Sequence, residues 1–259
     1  MGAVVLCVPP VFVFVWMILT GLKTGVQNIA YPPEFIFTPT LENFRAVFQQ
    51  YNFFKYLMNS LIIAGLATGI SLVLGLPAAY SIAKYRQGKI GLIILVARMT
   101  PFVSYLLPWY IIFRYLGLVD TYTALTITHL IITLPMVIWL MVSFFESVPT
   151  ELEDAAMIDG CSRLQSFLII VLPLVRNGIA TSAIISFIFS WNQFLFSLIL
   201  SGPKTKTVPV AVYNFISYGK IDWAGIGAAA TLIVLPVSVF AFFVRRTIVQ
   251  GLTMGALKK

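Results

Sequence analysis

Six apolar stretches, each long enough to cross a lipid bilayer as a helix, constrain the fold of this chain more than any other feature. A helix needs roughly 20 residues to cross the hydrocarbon core of a membrane. The stretches lie at 3–20, 57–83, 90–113, 122–145, 177–200 and 224–244. Each is expected to be helical, because backbone groups in hydrocarbon need hydrogen-bond partners within their own segment. The sequence therefore predicts an all-α, polytopic membrane protein with six transmembrane helices.

The composition agrees with a membrane protein and argues against several other classes. Of the 259 residues, 59% are hydrophobic and 10% are charged, whereas about a quarter of the residues in a soluble domain are charged. The net charge of +8 is explained by Lys and Arg at the ends of spans, facing anionic lipid headgroups, so it requires no nucleic acid. Cys7 and Cys161 lie in different settings and indicate neither a disulfide framework nor a metal site.

The charges alone do not decide which side of the membrane faces the cytoplasm. With six spans, both termini and the loops near 84–89 and 146–163 share one side. That side carries eight of the Lys and Arg residues and the other side carries seven. The positive-inside rule therefore favours a cytoplasmic location for the termini only by a small margin.

The loop between the fourth and fifth spans has the local chemistry of a helix–turn–helix. Thr150 and Glu153 predict a capping box at the start of the first helix. Gly160 predicts its end, because glycine adopts the left-handed turn at little cost. Ser162 and Gln165 repeat the capping pattern and predict a second helix that runs into the membrane.

The first helix of this loop is predicted to have a narrow face of small residues. Leu152, Ala155, Ala156 and Asp159 are expected to share it, since residues three and four apart are neighbours on a helix. Such a face can approach another surface closely. An ordinary amphipathic loop helix is the alternative, and capping alone does not exclude it.

The same loop resembles the EAA signature of ATP-binding-cassette (ABC) importer permeases. Asp154-Ala155-Ala156, three residues, Gly160, nine residues and Ile170-x-Leu172-Pro173 match every spacing of the signature. Asp154 stands where the family usually has Glu, which keeps the charge but shortens the side chain. Asn177 stands where a proline is often found. The loop also precedes the penultimate span, as in the family.

The resemblance covers nearly the whole chain and narrows to the maltose-type carbohydrate permeases. The segments 21–23, 31–33 and 40–44 are similar to the first external loop of that branch. The segment 190–194 resembles the family's WNxF stretch, and 250–258 resembles its GLTxGxxK tail.

This resemblance implies the fold of a type I ABC importer permease. A first transmembrane helix and an external loop would occupy 1–56, and a five-helix core would occupy 57–259. The core would include a cytoplasmic coupling helix at about 150–160 and a cytoplasmic tail at about 245–259. The implied location is a prokaryotic plasma (inner) membrane, with several passes and both termini in the cytoplasm.

The resemblance also implies that another subunit supplies the energy. In the family, the coupling helix docks in a cleft of an ATPase subunit, and closure of the ATPase dimer switches the permeases between inward-open and outward-open states. The implied contact residues are Glu151, Asp154, Ala155, Ala156, Asp159 and Gly160 in the loop, with Gly251, Thr253 and Gly255 in the tail.

The implied partners are a homologous second permease, two ATPase subunits and an extracytoplasmic sugar-binding protein. The chain has no G-x-x-x-x-G-K-[ST] sequence with which to cradle nucleotide phosphates. It is therefore expected to be non-catalytic and to hold no cofactor, with ATP and Mg bound by the ATPase subunits. The expected substrate is an oligosaccharide, a polyol or a sugar phosphate.

Four residues within the predicted spans are candidates for the translocation pathway. Arg98 is one, because a charge at bilayer depth normally faces a cavity or a partner, although snorkelling to an interface is the alternative. Trp191, Asn192 and Gln193 supply an aromatic face and two amides, groups that bind sugars, although helix–helix hydrogen bonding is the alternative. His129, the only histidine, has no Cys, Asp or Glu at ligand spacing, so packing or a hydrogen bond is expected rather than a metal.

Two other functions are alternatives to import driven by ATP. A secondary transporter driven by an ion gradient would need acidic residues inside its spans for coupling, and the predicted spans contain no Asp or Glu. A membrane-embedded enzyme would need clustered His, Asp, Glu or Cys near a membrane face, and a single histidine argues against it.

Overall fold

The structure, a computed structural model, describes residues 2–50, 52–101, 103–217 and 220–256. Helices make up most of this part of the chain, which confirms the predicted all-α class. The helices are α1 (Gly2–Leu22), α2 (Gly25–Ile29), α3 (Glu42–Gln50), α4 (Phe53–Lys84), α5 (Gly88–Arg98), α6 (Val103–Tyr115), α7 (Tyr122–Glu146), α8 (Thr150–Ile158), α9 (Arg163–Ser166), α10 (Leu172–Leu174), α11 (Arg176–Trp191), α12 (Leu195–Leu200), α13 (Val208–Ala211) and α14 (Trp223–Ala256).

Short segments of other geometry interrupt this series. A π-helical turn, Phe167–Val171, joins α9 to α10, and a 3₁₀ turn, Val212–Phe215, follows α13. Two-residue strands β1 (Ile216–Ser217) and β2 (Lys220–Ile221) pair antiparallel, with Ile216 opposite Ile221. They form a hairpin in the connection before α14 rather than a sheet with a core.

Two helices in the described part of the chain are long and apolar enough to cross a bilayer. These are α4 and α7, each with a mean hydropathy of 2.1 over its most apolar window. Arg163–Leu174 and α11, which meet at an angle of 77°, make a third candidate if the bent pair is one span. Val8–Leu22 and Trp223–Val239 are shorter apolar helices. Length and composition therefore identify two or three spans, and six remains a prediction.

The third predicted span, 90–113, is wrong as a single helix. The structure divides this region into α5 and α6, and Phe102 in the gap lies outside the described residues. Pro101 accounts for the break, because proline has no backbone N–H and disfavours helical geometry in the residue before it.

The fifth predicted span, 177–200, is also interrupted. Helix α11 ends at Trp191 and α12 begins at Leu195. The chain also bends by 77° at Val175, so the helical segment that starts at Arg163 and α11 do not form one straight helix. The prediction that this segment runs into the membrane stays a prediction. Pro173 carries no N–H for the carbonyl four residues earlier, which agrees with the wide π-helical turn just before it.

Contacts divide the chain into two compact units. The first comprises the described parts of Met1–Ser60 and Thr205–Val239. Its core contains Val47, Phe53, Val208, Phe215, Ala228 and Ala229. Asn43 ties its N-terminal helices together, since its Nδ2 donates to the carbonyls of Gly21 and Lys23, each at 2.8 Å.

The second unit comprises the described parts of Leu61–Lys204 and Phe240–Lys259. Helix α7 supplies much of its core and packs mainly against α11. Gly178 permits this approach, because a Cβ there would lie 2.5 Å from the ring of Phe144. One of the two clusters in this core contains Ala79, Ile82, Val137, Ile138, Met141, Phe145, Phe167, Val171 and Val175.

Candidate functional site

Helix α8, the first helix of the predicted helix–turn–helix, begins without a side-chain cap. Pro149 occupies the N-cap position and Thr150 is already the first helical residue. The predicted capping box between Thr150 and Glu153 is therefore wrong. Glu153 is only 5% exposed, and its carboxylate bonds instead to groups on another helix, one of which is an ammonium of opposite charge.

Glu153 joins α8 to the end of α4 through an ion pair. Its Oε2 accepts a hydrogen bond from the ammonium of Lys84 and another from the hydroxyl of Tyr80 at 2.5 Å. The ammonium of Lys84 also donates to the Tyr80 hydroxyl at 3.0 Å. The three polar groups thus contact one another in a closed triangle, called here the α4–α8 brace (Tyr80, Lys84 and Glu153).

Two phenylalanine rings pack against Tyr80 of the brace. The ring of Tyr80 lies 4.8 Å from that of Phe167 and 5.7 Å from that of Phe145, centroid to centroid. Both phenylalanines are buried. The hydroxyl of Tyr80 is therefore held at the edge of a packed core, where two phenylalanine rings pack against the tyrosine ring.

The turn after α8 has the geometry predicted from the sequence. Gly160 has φ +91°, the left-handed conformation that glycine was expected to supply. Ser162 and Gln165 form the predicted capping box: Ser162 Oγ accepts from the Gln165 N–H at 3.3 Å, and Gln165 Oε1 accepts from the Ser162 N–H at 2.8 Å. Both predictions are confirmed.

A second contact joins the end of α4 to the far side of this turn. The guanidinium of Arg163, the first residue of α9, donates from Nη1 to the hydroxyl of Tyr85 at 2.7 Å. Tyr85 follows directly after the last residue of α4. The end of α4 therefore contacts the helices on both sides of Gly160.

Helix α8 presents two different faces. Glu153 and Ala156 are buried, at 5% and 3% exposed, and Met157 is half-buried. The exposed residues are Glu151, Leu152, Asp154, Ala155, Ile158 and Asp159. The four residues of the predicted small-residue face differ in exposure: Leu152, Ala155 and Asp159 are exposed, whereas Ala156 is buried beside Glu153.

The predicted coupling residues thus separate into an outer set and one inner residue. Glu151, Asp154, Ala155, Asp159 and Gly160 are exposed and available to a partner. Ala156 is buried within the chain. The contact of this set with an ATPase stays a prediction.

The pathway candidates Trp191, Asn192 and Gln193 lie at the break between α11 and α12. Trp191 is 1% exposed and stacks on Phe187 at 5.7 Å. The amides make local hydrogen bonds: Asn192 Nδ2 donates to the Ile188 carbonyl at 2.9 Å, and Gln193 Oε1 accepts from the Leu195 N–H at 3.0 Å. Asn192 is exposed, whereas Gln193 is buried.

His129 of α7 contacts both helices at this break. Its Nδ1 lies 2.7 Å from Ser190 Oγ in α11, and its Nε2 lies 3.4 Å from Ser197 Oγ in α12. The ring is 1% exposed. A hydrogen bond, one of the two roles expected for His129, is confirmed. The sequence did not indicate that the ring contacts two other helices.

The remaining predicted residues lie where side chains are not described. Arg98 is the last residue of α5, and its side chain lies outside the described residues. Gly251, Thr253 and Gly255 belong to α14, which continues as a helix to Ala256, but no side chains are described there and residues 257–259 lie outside the described part. Roles for these four residues stay predictions.

The residues that hold α8 in place were missed at the sequence level. Tyr80 and Lys84 are four apart near the end of an apolar helix, so they share one face. That spacing was a visible signal for a polar site. Their partner Glu153 lies 69 residues after Lys84, and no local pattern indicated the pairing.

The sequence of this chain matches a family model and several known proteins. The family model described as "Binding-protein-dependent transport system inner membrane component" matches residues 71–254. A probable ABC transporter permease protein, y4oR, of Sinorhizobium fredii is 42% identical over 249 residues, covering 95% of this chain and 90% of that protein. The trehalose/maltose transport system permease protein MalG of Thermococcus litoralis is 34% identical over 271 residues, covering 99% of this chain and 95% of that protein.

A solved structure shows a similar fold. One chain in the crystal structure of a bacterial ABC transporter involved in the import of the acidic polysaccharide alginate matches with a TM-score of 0.78. The match covers 95% of this chain and 94% of that chain, at 20% identity. The likeness at this identity concerns the fold alone.

Proposed function

The chain belongs to the family of binding-protein-dependent transport system inner membrane components, and on this premise we propose that it is a permease subunit of an ABC importer for a sugar. The relative from Thermococcus litoralis is named as a permease for trehalose and maltose, and the structural neighbour imports a polysaccharide. The proposed substrate is accordingly an oligosaccharide, a polyol or a sugar phosphate, delivered by an extracytoplasmic binding protein.

The observation that carries this proposal is the two-faced geometry of α8. The helix has an exposed acidic outer face with Glu151, Asp154 and Asp159, and its inner face is fixed to α4 through Glu153. A short, firmly anchored helix with an exposed face is suited to transmit force from a second protein. In the proposed mechanism, the outer face and the Gly160 turn contact an ATPase subunit.

The chain itself is non-catalytic in this mechanism. Two ATPase subunits bind ATP and Mg and hydrolyse the nucleotide, and a homologous permease completes the pathway. The C-terminal segment with Gly251, Thr253 and Gly255 makes a second ATPase contact. With six spans, both termini, α8 and the end of α4 would share one side of the inner membrane, and the family resemblance makes that side the cytoplasmic one.

The sugar pathway is proposed to pass the break between α11 and α12. Asn192 is exposed there, and its amide could hydrogen-bond a sugar hydroxyl. Gln193 and Trp191 are buried and support the break from within. Arg98 is retained as a candidate for the pathway or its gate.

Uptake into proteoliposomes tests the function directly. The complete complex, with its binding protein, is reconstituted and supplied with radiolabelled maltose and trehalose. We expect accumulation that requires internal ATP and is abolished by vanadate, with no effect of an ionophore. Uptake that follows an ion gradient without ATP would instead support a secondary transporter and contradict the proposal.

A further inference from the structure

The end of α4 is connected by polar contacts to α8 and to α9. Tyr80 and Lys84 hold Glu153 on α8, and Tyr85 accepts from Arg163 on α9. One helix end therefore contacts the chain on both sides of the Gly160 turn. Of these five residues, only Glu153 lies on α8 itself.

We infer that Lys84 and Tyr80 are positioning residues for energy coupling, which hold α8 through Glu153 so that movement of the docked helix is passed to α4. This inference rests on the proposed function, because it needs an ATPase that acts on α8. It differs from docking, which involves the opposite, exposed face of the helix.

Burial makes the ion pair a specific link. The side chains of Lys84 and Glu153 are 19% and 7% exposed, respectively. A carboxylate at this depth is strongly destabilising unless it is paired and hydrogen-bonded. Lys84 and Tyr80 both donate to the same oxygen of Glu153, so two residues of α4 fix the position of this carboxylate.

Few apolar contacts are available to replace this link. On the inner face of α8, Ala156 is the buried apolar residue and Met157 is half-buried. An alanine provides a small contact area, so apolar packing holds the helix less tightly than a large side chain would. The polar brace therefore makes a large share of the connection between α8 and α4.

Helix α4 is a suitable element to receive this movement. Within the second unit it is an uninterrupted helix from Leu61 to Lys84. Farther along this helix, Ser71 Oγ lies 2.6 Å from Thr133 Oγ1 on α7. Thr133 in turn donates to the carbonyl of His129, the residue that bridges the break between α11 and α12. A displacement of the α4 end would thus act on a helix in direct polar contact with α7.

Charge exchange tests the inference. The variants are Lys84→Met, Glu153→Gln, Tyr80→Phe and the double exchange Lys84→Glu with Glu153→Lys. Lys89→Met serves as the matched control, since Lys89 is exposed and lies just beyond α4. The measured quantities are the ATPase that co-purifies with the membrane subunits and the ratio of binding-protein-stimulated to basal ATP hydrolysis.

We expect Lys84→Met and Glu153→Gln to retain the ATPase, because the outer face of α8 is unchanged. Their stimulation ratio should fall about threefold or more, a size typical of altered coupling between sites. Tyr80→Phe should show a smaller fall, and the double exchange should recover at least half of the loss. Lys89→Met should match the wild type.

Two results would overturn the inference. One is an unchanged stimulation ratio in both single variants. The other is a double exchange that assembles with the ATPase yet stays as impaired as the single variants, because the charge pairing would then not be the cause. Failure of the proposed function would be distinguishable, since the unaltered complex would itself lack ATP-dependent uptake.

Discussion

At Gly160 the constraint comes from the backbone and not from crowding. Its φ is +91°, and a Cβ built on it would have no atom within 4 Å apart from its own neighbours in the chain. Within the chain, the cost of a substitution therefore arises from the strain of a left-handed conformation, which is about 1–2 kcal/mol for an ordinary residue. Asn tolerates this region best, and a β-branched residue tolerates it least.

A substitution series at Gly160 should follow this order. We expect Gly160→Asn to retain most of the co-purifying ATPase, Gly160→Ala to lose part of it and Gly160→Val to lose the most, because increasing strain unwinds the end of α8. All three chains should still insert and pair with the second permease, since the turn lies outside the predicted spans. Equal behaviour of the Asn and Val variants would show that backbone strain does not govern the loop.

At the level of whole elements, His129 connects three helices around one break. It lies on α7 and contacts Ser190 of α11 and Ser197 of α12. Replacing the ring by phenylalanine would keep its bulk but leave two buried hydroxyls without this partner. A buried polar group that loses its partner costs about 1–3 kcal/mol.

We therefore predict that His129→Phe lowers the unfolding temperature of the purified complex. Thr126→Val is the matched control on the same helix, because the Thr126 hydroxyl is buried and has no hydrogen-bond partner among the described residues. Thermal unfolding in detergent should show a clear decrease for His129→Phe and little change for Thr126→Val. Equal decreases in the two variants would indicate that packing, rather than hydrogen bonding, is what His129 contributes.

The elements that were predictable from the sequence are those set by local chemistry. Gly160 and the Ser162–Gln165 box involve residues within a few positions of one another, so their pattern is complete in the sequence. The Thr150–Glu153 box failed for the opposite reason, because Lys84 offered Glu153 a stronger partner from a distant part of the chain.

The breaks in the helices were harder to predict than the helices themselves. Pro101 was visible in the third predicted span, but proline is common in membrane helices, and Pro77 and Pro135 lie inside the unbroken α4 and α7. The break at Asn192 is marked only by two amides, Asn192 and Gln193, between apolar residues. Whether such residues interrupt a helix depends on contacts such as those of His129, which only the folded chain provides.

At the scale of the whole molecule, the main question is what supplies the energy for transport. The chain lacks the phosphate-binding G-x-x-x-x-G-K-[ST] sequence, so in the proposed importer ATP hydrolysis must act on it through contact with another protein. The exposed face of α8 is the surface proposed for that contact. Asp154 is exposed near the start of this helix, where a negative charge suits the positive end of the helix dipole.

The most direct measurement is therefore the amount of ATPase that co-purifies with an Asp154→Lys variant, together with the ATP hydrolysis stimulated by the binding protein. The charge reversal lies on the outer face of α8 and leaves the α4–α8 brace intact. We predict that the second permease remains bound while the ATPase, or its stimulated hydrolysis, is lost, and that Lys89→Met behaves as the wild type. If the Asp154→Lys complex retains its ATPase and transports sugar normally, α8 is not the point at which ATP hydrolysis acts on this chain.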